Sequence, residues 1–210
     1  MRVQNTFLAV SPETFGDPSL NYKGKVILPE LILHFIEKNN IQKPILLFSI
    51  KNPITNQEVA AGVESFNSDV VSCVIPKWMM ETINIEENDK VIVSLVDLPP
   101  AESLTLQPLT NEFPSAVQTV LQVALRPFPC LTIGSILPLS IFNKIHQVKV
   151  LYVEPPKMAS TFNVDVNLEM IPSPDKIQEF LTHNWGEEED CYEPKSKAPN
   201  KFIGKPHSLR

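Results

Sequence analysis

The sequence has few cysteines, and they are not spaced as metal ligands. Three cysteines occur among 210 residues, at the widely separated positions Cys73, Cys130 and Cys191. Zinc sites and redox pairs need closely spaced cysteine or histidine side chains, and the four histidines are scattered as well. We therefore predict three free thiols, with Cys73 and Cys130 buried in the core, and neither a metal site nor a cofactor.

The sequence also lacks long apolar runs and basic stripes. No apolar run approaches the ~20 residues that a transmembrane helix requires. The net charge is -6, and basic residues do not alternate with aromatic ones as they do in proteins that follow a phosphate backbone. These absences argue against membrane insertion and against nucleic acid as a partner. We expect the protein in the cytosol or nucleoplasm.

Recognisable catalytic motifs are missing too. There is no nucleophile elbow, no glycine-rich phosphate loop and no H-E-x-x-H spacing. Asp89 and Asp97 are conceivable acids, but an aspartate at a turn beside a strand is ordinary turn chemistry. We predict that the protein is not an enzyme. The alternative is a hydrolase whose site is assembled from residues far apart in sequence, in a concave pocket that holds titratable side chains.

Up to Pro172 the sequence consists of short β-rich segments broken by proline and glycine. With 43% apolar and 20% charged residues, its composition is that of a soluble globular protein. The clearest predicted strand is 162–170, in which apolar and polar side chains alternate strictly. A turn is predicted at Asn143 and Lys144. Further strands are predicted at Leu46–Ile50, Val59–Phe66, Val70–Ile75, Lys90–Val96 and Val148–Val153.

Three predicted helices interrupt these strands. Glu30–Lys38 and Lys77–Ile83 each follow a proline, and Ser115–Leu125 begins with a serine that can cap the first turn. The third helix has a single apolar stripe, formed by Val117, Val120, Leu121, Ala124 and Leu125. Many short strands with few helices predict a small closed barrel, followed from about Leu104 by a second, α+β unit.

Beyond Pro172 apolar residues become rare and charged residues dominate. An acidic block at 187–190 precedes five basic residues, Lys195, Lys197, Lys201, Lys205 and Arg210. Such a segment cannot bury enough apolar surface to offset its ordering entropy, so we predict a flexible, solvated tail. Phe180, Leu181 and Trp185 form a small apolar cluster, which we expect on a short helix beginning after Pro174 and packed on the body or on another subunit.

The end of the tail carries apolar residues that are not part of a predicted core. Phe202 and Leu209 lie in a polar segment, with Gly204 between them. One hypothesis is a docking peptide whose side chains enter a partner's pocket. The alternative is a random tail, because short patterns of this kind also occur by chance.

Five segments resemble those of a known family. They are 24–29, 62–66, 75–80, 131–134 and 148–155, and they occur in the order and spacing of the ubiquitin fusion degradation protein family. The most specific is 75–80, where Trp78, Met79 and Met80 follow a proline. The resemblance covers about residues 5–172. It implies a double-psi β-barrel at 1–103, a smaller α/β subdomain at 104–172 and a tail at 173–210.

The resemblance also implies the function of an adaptor. The family binds ubiquitin chains with this two-part domain and brings clients to a valosin-containing, hexameric AAA+ ATPase. A partner subunit named for nuclear protein localisation usually assists, and catalysis belongs to the ATPase. The expected role is delivery for extraction and proteasomal degradation, including ER-associated degradation, with recruitment to the ER surface through partners. Phe202, Gly204 and Leu209 match the family's ATPase-docking pattern.

Some positions depart from the family pattern or carry no assigned role. Pro206 stands where the family usually has a second glycine, and Ser135 replaces an acidic residue. No ubiquitin-contacting residue is assigned, because Trp78, Met79 and Met80 are expected in the core rather than in a ubiquitin-facing patch. The alternative function is a scaffold or substrate-recognition module that docks on the ATPase and no longer binds ubiquitin.

Overall fold

The computed structural model describes residues 4–69, 71–114 and 118–178. These residues form a closed six-stranded barrel, a four-stranded sheet and a two-stranded sheet. The predicted fold class is confirmed: a double-psi β-barrel is followed by a smaller α/β subdomain. The predicted domain boundaries after residues 103 and 172 stay predictions.

The chain alternates between short strands and shorter helices. The strands are β1 (Gln4–Val10), β2 (Lys25–Pro29), β3 (Leu47–Lys51), β4 (Glu58–Asn67), β5 (Ser72–Val74), β6 (Lys90–Val96), β7 (Ser103–Pro108), β8 (Cys130–Thr132), β9 (Ile136–Ile141), β10 (Lys144–Glu154), β11 (Met158–Ser160) and β12 (Asn167–Met170). The α-helices are α1 (Pro12–Phe15), α2 (Glu30–Lys38), α3 (Lys77–Thr82) and α4 (Gln118–Leu125), and a 3-10 helix spans Pro18–Tyr22.

The barrel has the strand order β1-β5-β2-β4-β3-β6 and closes through β1 and β6. β1 pairs with β5 in parallel, as does β2 with β4, whereas the other barrel pairs are antiparallel. Closure leaves no free strand edge, so every strand can turn one face to a common core. The fully buried strand residues include Ala9, Val26, Leu28, Phe48, Ile50, Val59, Ala61, Val91 and Val93.

The second subdomain is a four-stranded sheet covered on one face by α4. Its strand order is β12-β7-β10-β9. Leu121 and Ala124 on α4 are buried, and Val120 and Leu125 are partly buried against the same core. The predicted apolar stripe is therefore confirmed for these four residues. Val117 and the proposed cap Ser115 lie outside the described residues.

Strand prediction succeeded best where the apolar run was long. The strand Lys90–Val96 and the helix Glu30–Lys38 have the predicted bounds. The segments predicted around Leu46, Val59, Val70 and Val148 correspond to β3, β4, β5 and β10. The turn predicted at Asn143 and Lys144 is displaced by one residue, because β10 already begins at Lys144 and the turn is formed by Phe142 and Asn143.

The strand predicted at 162–170 is wrong in its first half. Only Asn167–Met170 forms a strand, and Asn163 has a positive φ of 53° in the turn before it. β12 pairs in parallel with β7, and the register matches Asn167 with Ser103, where β7 begins. Earlier residues therefore have no neighbouring strand to pair with. The alternation of exposure predicted from the sequence nevertheless holds from 164 to 170.

The chain leaves the sheet through the beginning of a helix. Residues 174–178 are helical, and Ser173 caps them because its side-chain oxygen accepts a hydrogen bond from the Lys176 N–H at 3.4 Å. The start of the predicted helix near Pro174 is thereby confirmed. The apolar cluster of Phe180, Leu181 and Trp185 lies outside the described residues.

Candidate protein-binding site

Two glycines allow the barrel and the second subdomain to approach closely. The N–H of Gly24 donates to the carbonyl of Pro127 at 3.0 Å, and its carbonyl accepts from the N–H of Gly62 at 2.9 Å. A Cβ atom on Gly24 would lie 2.8 Å from the Cα of Phe128, and one on Gly62 would lie 2.5 Å from the Cγ of Pro129. We call this contact, formed by 24–25, 60–62 and 127–132, the joint.

Trp78 packs against the joint from the barrel side. Its indole N–H donates to the carbonyl of Lys23 at 3.2 Å, and its ring centroid lies 5.9 Å from that of Phe128. Trp78, Met79 and Met80 are all buried. The prediction that they pack in the core is confirmed, so the most specific segment of the family resemblance is structural.

A threonine hydroxyl completes the joint. The Ala60 N–H donates to Thr132 Oγ1 at 2.9 Å, and both residues are buried. Ser135, which departs from the family pattern, is buried as well and donates its hydroxyl to the Thr132 carbonyl at 2.7 Å. The serine is therefore satisfied within its own turn, whereas a carboxylate there would need a compensating partner.

We expect Thr132→Val to weaken the joint measurably. Valine has nearly the same shape but cannot accept the Ala60 N–H, and an unsatisfied buried donor costs about 1–3 kcal/mol. Urea denaturation monitored by circular dichroism would measure the loss of unfolding free energy. Thr105→Val is the matched control, because the Thr105 hydroxyl bonds an exposed Glu169 carboxylate. Equal stability of both variants and the parent would contradict this role of Thr132.

Two thiols are sealed in the interior. Cys73 and Cys130 are both fully buried and unpaired, as predicted. Burial raises the pKa of each thiol well above its ordinary range, because the thiolate would lose its hydration. Cys191 lies outside the described residues.

We expect a thiol reagent such as dithionitrobenzoate to titrate at most one of the three cysteines in the native protein. Only the thiolate reacts readily, and Cys73 and Cys130 are both inaccessible and protonated. All three should react in denaturant. Fast native reaction of two thiols would show that the interior opens far more readily than this packing allows.

The charged residues are used for turns and surface ion pairs. Asp89 accepts the Glu86 N–H at 2.8 Å, as ordinary turn chemistry requires, and Asp97 pairs with Lys43. Glu64 lies between Lys23 and Lys25 at 2.6 and 2.8 Å, and their hydrogen bonds lower the pKa of its carboxyl. Within 4–69, 71–114 and 118–178, no three metal-binding side chains converge, and no helix has the length and apolar character to cross a membrane.

A broad surface depression lies beside α4. It has a volume of about 630 Å³ and runs between α4, the loop at 161–166 and β12. We call it the α4 groove. Its floor is apolar, and its rim is polar. The floor includes Leu104, Leu125, Phe128 and Leu168, and the rim carries Gln122, Arg126, Asn163 and Asp165.

The lining of the α4 groove has the composition of a binding site. An apolar floor with a few polar groups at the rim is the usual composition of a ligand site. The one hydroxyl in its lining, on Thr161, is engaged as a donor to the Phe128 carbonyl. The rim carries one cation and one anion, Arg126 and Asp165, and the lining contains no thiol or imidazole. Two other depressions, of about 260 and 460 Å³, are smaller.

Comparison with known proteins gives the family. The sequence model described as ubiquitin fusion degradation protein UFD1, N-terminal subdomain 1, matches residues 3–99. The human protein named ubiquitin recognition factor in ER-associated degradation protein 1 is 32% identical over 148 residues, which are 70% of this chain and 48% of that protein. The chain belongs to the ubiquitin fusion degradation protein 1 family.

Other members of the family show the same extent of similarity. The Schizosaccharomyces pombe ubiquitin fusion degradation protein 1 is 33% identical over 140 residues, 66% of this chain and 41% of the relative. The Caenorhabditis elegans homolog is 29% identical over 155 residues, which are 73% of this chain and 45% of that protein. The chain thus spans about half the length of the curated relatives it matches. An alignment of 148 residues cannot end before residue 148, so the likeness continues beyond the barrel into the second subdomain.

The structure places none of the tail residues predicted to dock on an ATPase. Phe202, Gly204, Leu209 and the departing Pro206 lie outside the described residues, and their role stays a prediction. The α4 groove was not found from the sequence, because it is assembled from a helix, a loop and a strand that are separated along the chain. The only available signal was the alternation at 164–170, of which Val164, Val166 and Leu168 line the groove.

Proposed function

We propose that the protein is a non-catalytic adaptor that binds ubiquitin chains on client proteins and delivers them to a hexameric AAA+ unfoldase for extraction and proteasomal degradation. The observation that carries the proposal is the sequence likeness, continuing from the barrel into the second subdomain, to proteins named for ubiquitin recognition and ubiquitin fusion degradation. ER-associated degradation is included because the relative from human is named for it.

The described structure supports a binding role over a catalytic one. The buried thiols of Cys73 and Cys130 are protonated, Asp89 and Asp97 serve a turn and an ion pair, and the lining of the α4 groove contains no thiol or imidazole. We expect ubiquitin to be bound by the folded body, and we assign the α4 groove as the contact site because it combines a volume of about 630 Å³ with apolar lining residues and exposed polar side chains at the rim. The same adaptor role places the protein in the cytosol and nucleus, recruited to the ER surface through partners.

The ATPase would be bound by the tail. Phe202 would fill an apolar pocket, Gly204 would allow close backbone approach, and Leu209 would occupy a second site up to ~23 Å away at ~3.3 Å per extended residue. A short peptide buries far less surface than a standard interface, so useful affinity would come from several ubiquitins on one side and a hexamer on the other. The nuclear protein localisation subunit is a further expected partner.

An NMR titration of the labelled full chain with lysine-linked ubiquitin chains tests the ubiquitin half of this proposal. Shifts should cluster at α4 and at 161–168. The double substitution Gln122→Ala/Arg126→Ala should weaken binding at least about tenfold, because it removes the Arg126 guanidinium, and one hydrogen bond to a charged group contributes about 1.5–3 kcal/mol. Both side chains are exposed, so folding should be unaffected.

Ile54→Ala is the matched control, because Ile54 is 87% exposed in the turn between β3 and β4, away from the groove. Shifts confined to another surface would reassign the ubiquitin site. No binding to any ubiquitin chain, with the tail still docking on the ATPase, would favour the alternative of a scaffold or substrate-recognition module that does not bind ubiquitin.

A further inference from the structure

The turn between β9 and β10 holds a bulky side chain in a backbone conformation that disfavours it. Phe142 and Asn143 form this turn, with φ values of 50° and 60°. Among the described residues, eight non-glycine residues have positive φ, and six of them are asparagine, which tolerates this conformation well. The other two are Phe142 and Lys157, and the Lys157 side chain forms an ion pair with Glu58. Phe142 is the one aromatic residue in this set, and the strain it carries calls for a compensating contact.

Burial within the body does not compensate Phe142. Its side chain is 72% exposed at the tip of the hairpin, and Ile145, close by on β10, is 44% exposed. The hairpin is also basic in a chain of net charge -6: Lys144 and Lys149 lie on β10, and no aspartate or glutamate occurs between residues 130 and 153. Lys144 adjoins the turn, whereas Lys149 lies five residues farther along β10, opposite Ile136. The hairpin therefore combines apolar surface at its tip with positive charge along β10, which fits an aromatic segment followed by acids.

The described chain ends near this hairpin. β12 runs parallel to β7 and therefore leaves the sheet at the end where β7 finishes. At that end the N–H of Leu109 donates to the Gln147 carbonyl of β10 at 3.0 Å, and Ser173 bonds the Asn111 side chain. Residue 178 thus lies at the same end of the sheet as the turn at Phe142.

The segment that follows has the complementary chemistry. Trp185 comes seven residues after Gln178, and the acidic block Glu187, Glu188, Glu189 and Asp190 begins two residues later. At ~3.3–3.6 Å per extended residue, seven residues can reach about 25 Å, which is ample for a site at the same end of the sheet. This block is the longest run of consecutive acidic residues in the chain.

We propose that residues 185–190 dock on the β9–β10 hairpin, with Trp185 against Phe142 and Ile145 and the acidic block against Lys144 and Lys149. A tethered segment has an effective concentration of millimolar order, so a weak contact suffices to populate the docked state. The two-residue turn fixes the backbone at Phe142 and so presents its side chain at the tip of the hairpin, which lowers the entropic cost of binding there. The docked segment leaves residues 191–210, with Phe202 and Leu209, available for the ATPase. This inference goes beyond the adaptor function and does not depend on it.

Fluorescence of Trp185 in the full chain tests the proposal without any partner. The other tryptophan, Trp78, is buried and constant, and a Trp185→Phe variant measures its share of the signal. Phe142→Asn removes the apolar anchor while installing the residue the turn prefers, so folding is preserved. In the Phe142→Asn variant we expect the Trp185 emission to shift to the red. Its quenching by acrylamide should rise toward that of a free tryptophan peptide. Lys144→Glu/Lys149→Glu and high salt should act in the same direction.

Ile54→Asn is the control, because it removes an equally exposed apolar side chain from a different turn. Unchanged Trp185 emission and quenching in Phe142→Asn would overturn the proposal. A response to Phe142→Asn without any response to the lysine changes or to salt would overturn its electrostatic half. A loss of ubiquitin or ATPase binding in Phe142→Asn with unchanged Trp185 fluorescence would overturn it in favour of a partner at the hairpin.

Discussion

Replacing Phe202 with alanine is expected to abolish capture of the AAA+ ATPase by the full chain. A buried aromatic anchor of a short docking peptide typically contributes about 2–4 kcal/mol, so its loss should weaken binding by roughly 30- to 1,000-fold. Folding and ubiquitin binding should not change, because the buried core of the described residues is formed between Phe7 and Ala159. Interferometry against the isolated amino-terminal domain of the ATPase, together with thermal denaturation, would measure both.

Ile203→Ala is the matched control for Phe202, since it removes an apolar neighbour that the docking pattern does not use. Equal losses of ATPase affinity from the two substitutions would show nonspecific hydrophobic binding by the tail rather than a specific motif. Loss of ubiquitin binding in the Phe202 variant would contradict the separation of roles between tail and body. ATPase binding that survives Phe202→Ala would place the docking site elsewhere.

Gly24→Ala is expected to destabilise the body strongly. The added Cβ would lie 2.8 Å from the Cα of Phe128 and within 3.2 Å of two of its side-chain atoms. The clash involves backbone, so it is relieved only by opening the joint, where the Gly24 N–H and carbonyl both hold hydrogen bonds. Overpacking of this kind costs about 1–3 kcal/mol, and the broken hydrogen bonds add to it. The midpoint of urea unfolding measures the loss.

Gly16→Ala separates this steric effect from backbone strain. Gly16 has a φ of 96°, but a Cβ there would meet nothing within 4 Å. Its substitution should therefore cost only the strain of the left-handed conformation, about 1 kcal/mol. A Gly24 variant as stable as the parent would contradict the close contact of the two subdomains at the joint.

The sequence predicted the elements whose pattern is local and could not predict the contacts between them. β6 and α2 were predicted with the observed bounds, because a β-branched run and a proline-initiated helix are both local signals. Six strands were not individually predicted: β1, β2, β7, β8, β9 and β11. β8 and β11 have three residues each, which are too few to show a period. The prediction for the first half of 162–170 was wrong because strand pairing there depends on where β7 begins, which is set by the tertiary structure.

The sites show the same division. The burial of Trp78, Met79 and Met80 was predicted from the apolar character of these residues. The α4 groove was not, since its floor joins Leu104, Phe128 and Leu168, which meet only in the folded protein. Nothing in the sequence indicated that Phe142 has an unusual backbone conformation. Its positive φ follows from a turn that lies one residue earlier than predicted.

The central claim is that one chain holds ubiquitin and the ATPase at the same time, and a bridging measurement tests it most directly. Ubiquitin chains are immobilised on an interferometry sensor, the full-length protein is bound, and the ATPase hexamer is added. The account predicts a second binding step that requires the protein and disappears with Phe202→Ala, while the first step is unchanged. A hexamer that binds without the protein, or that displaces it from ubiquitin, would contradict the adaptor function.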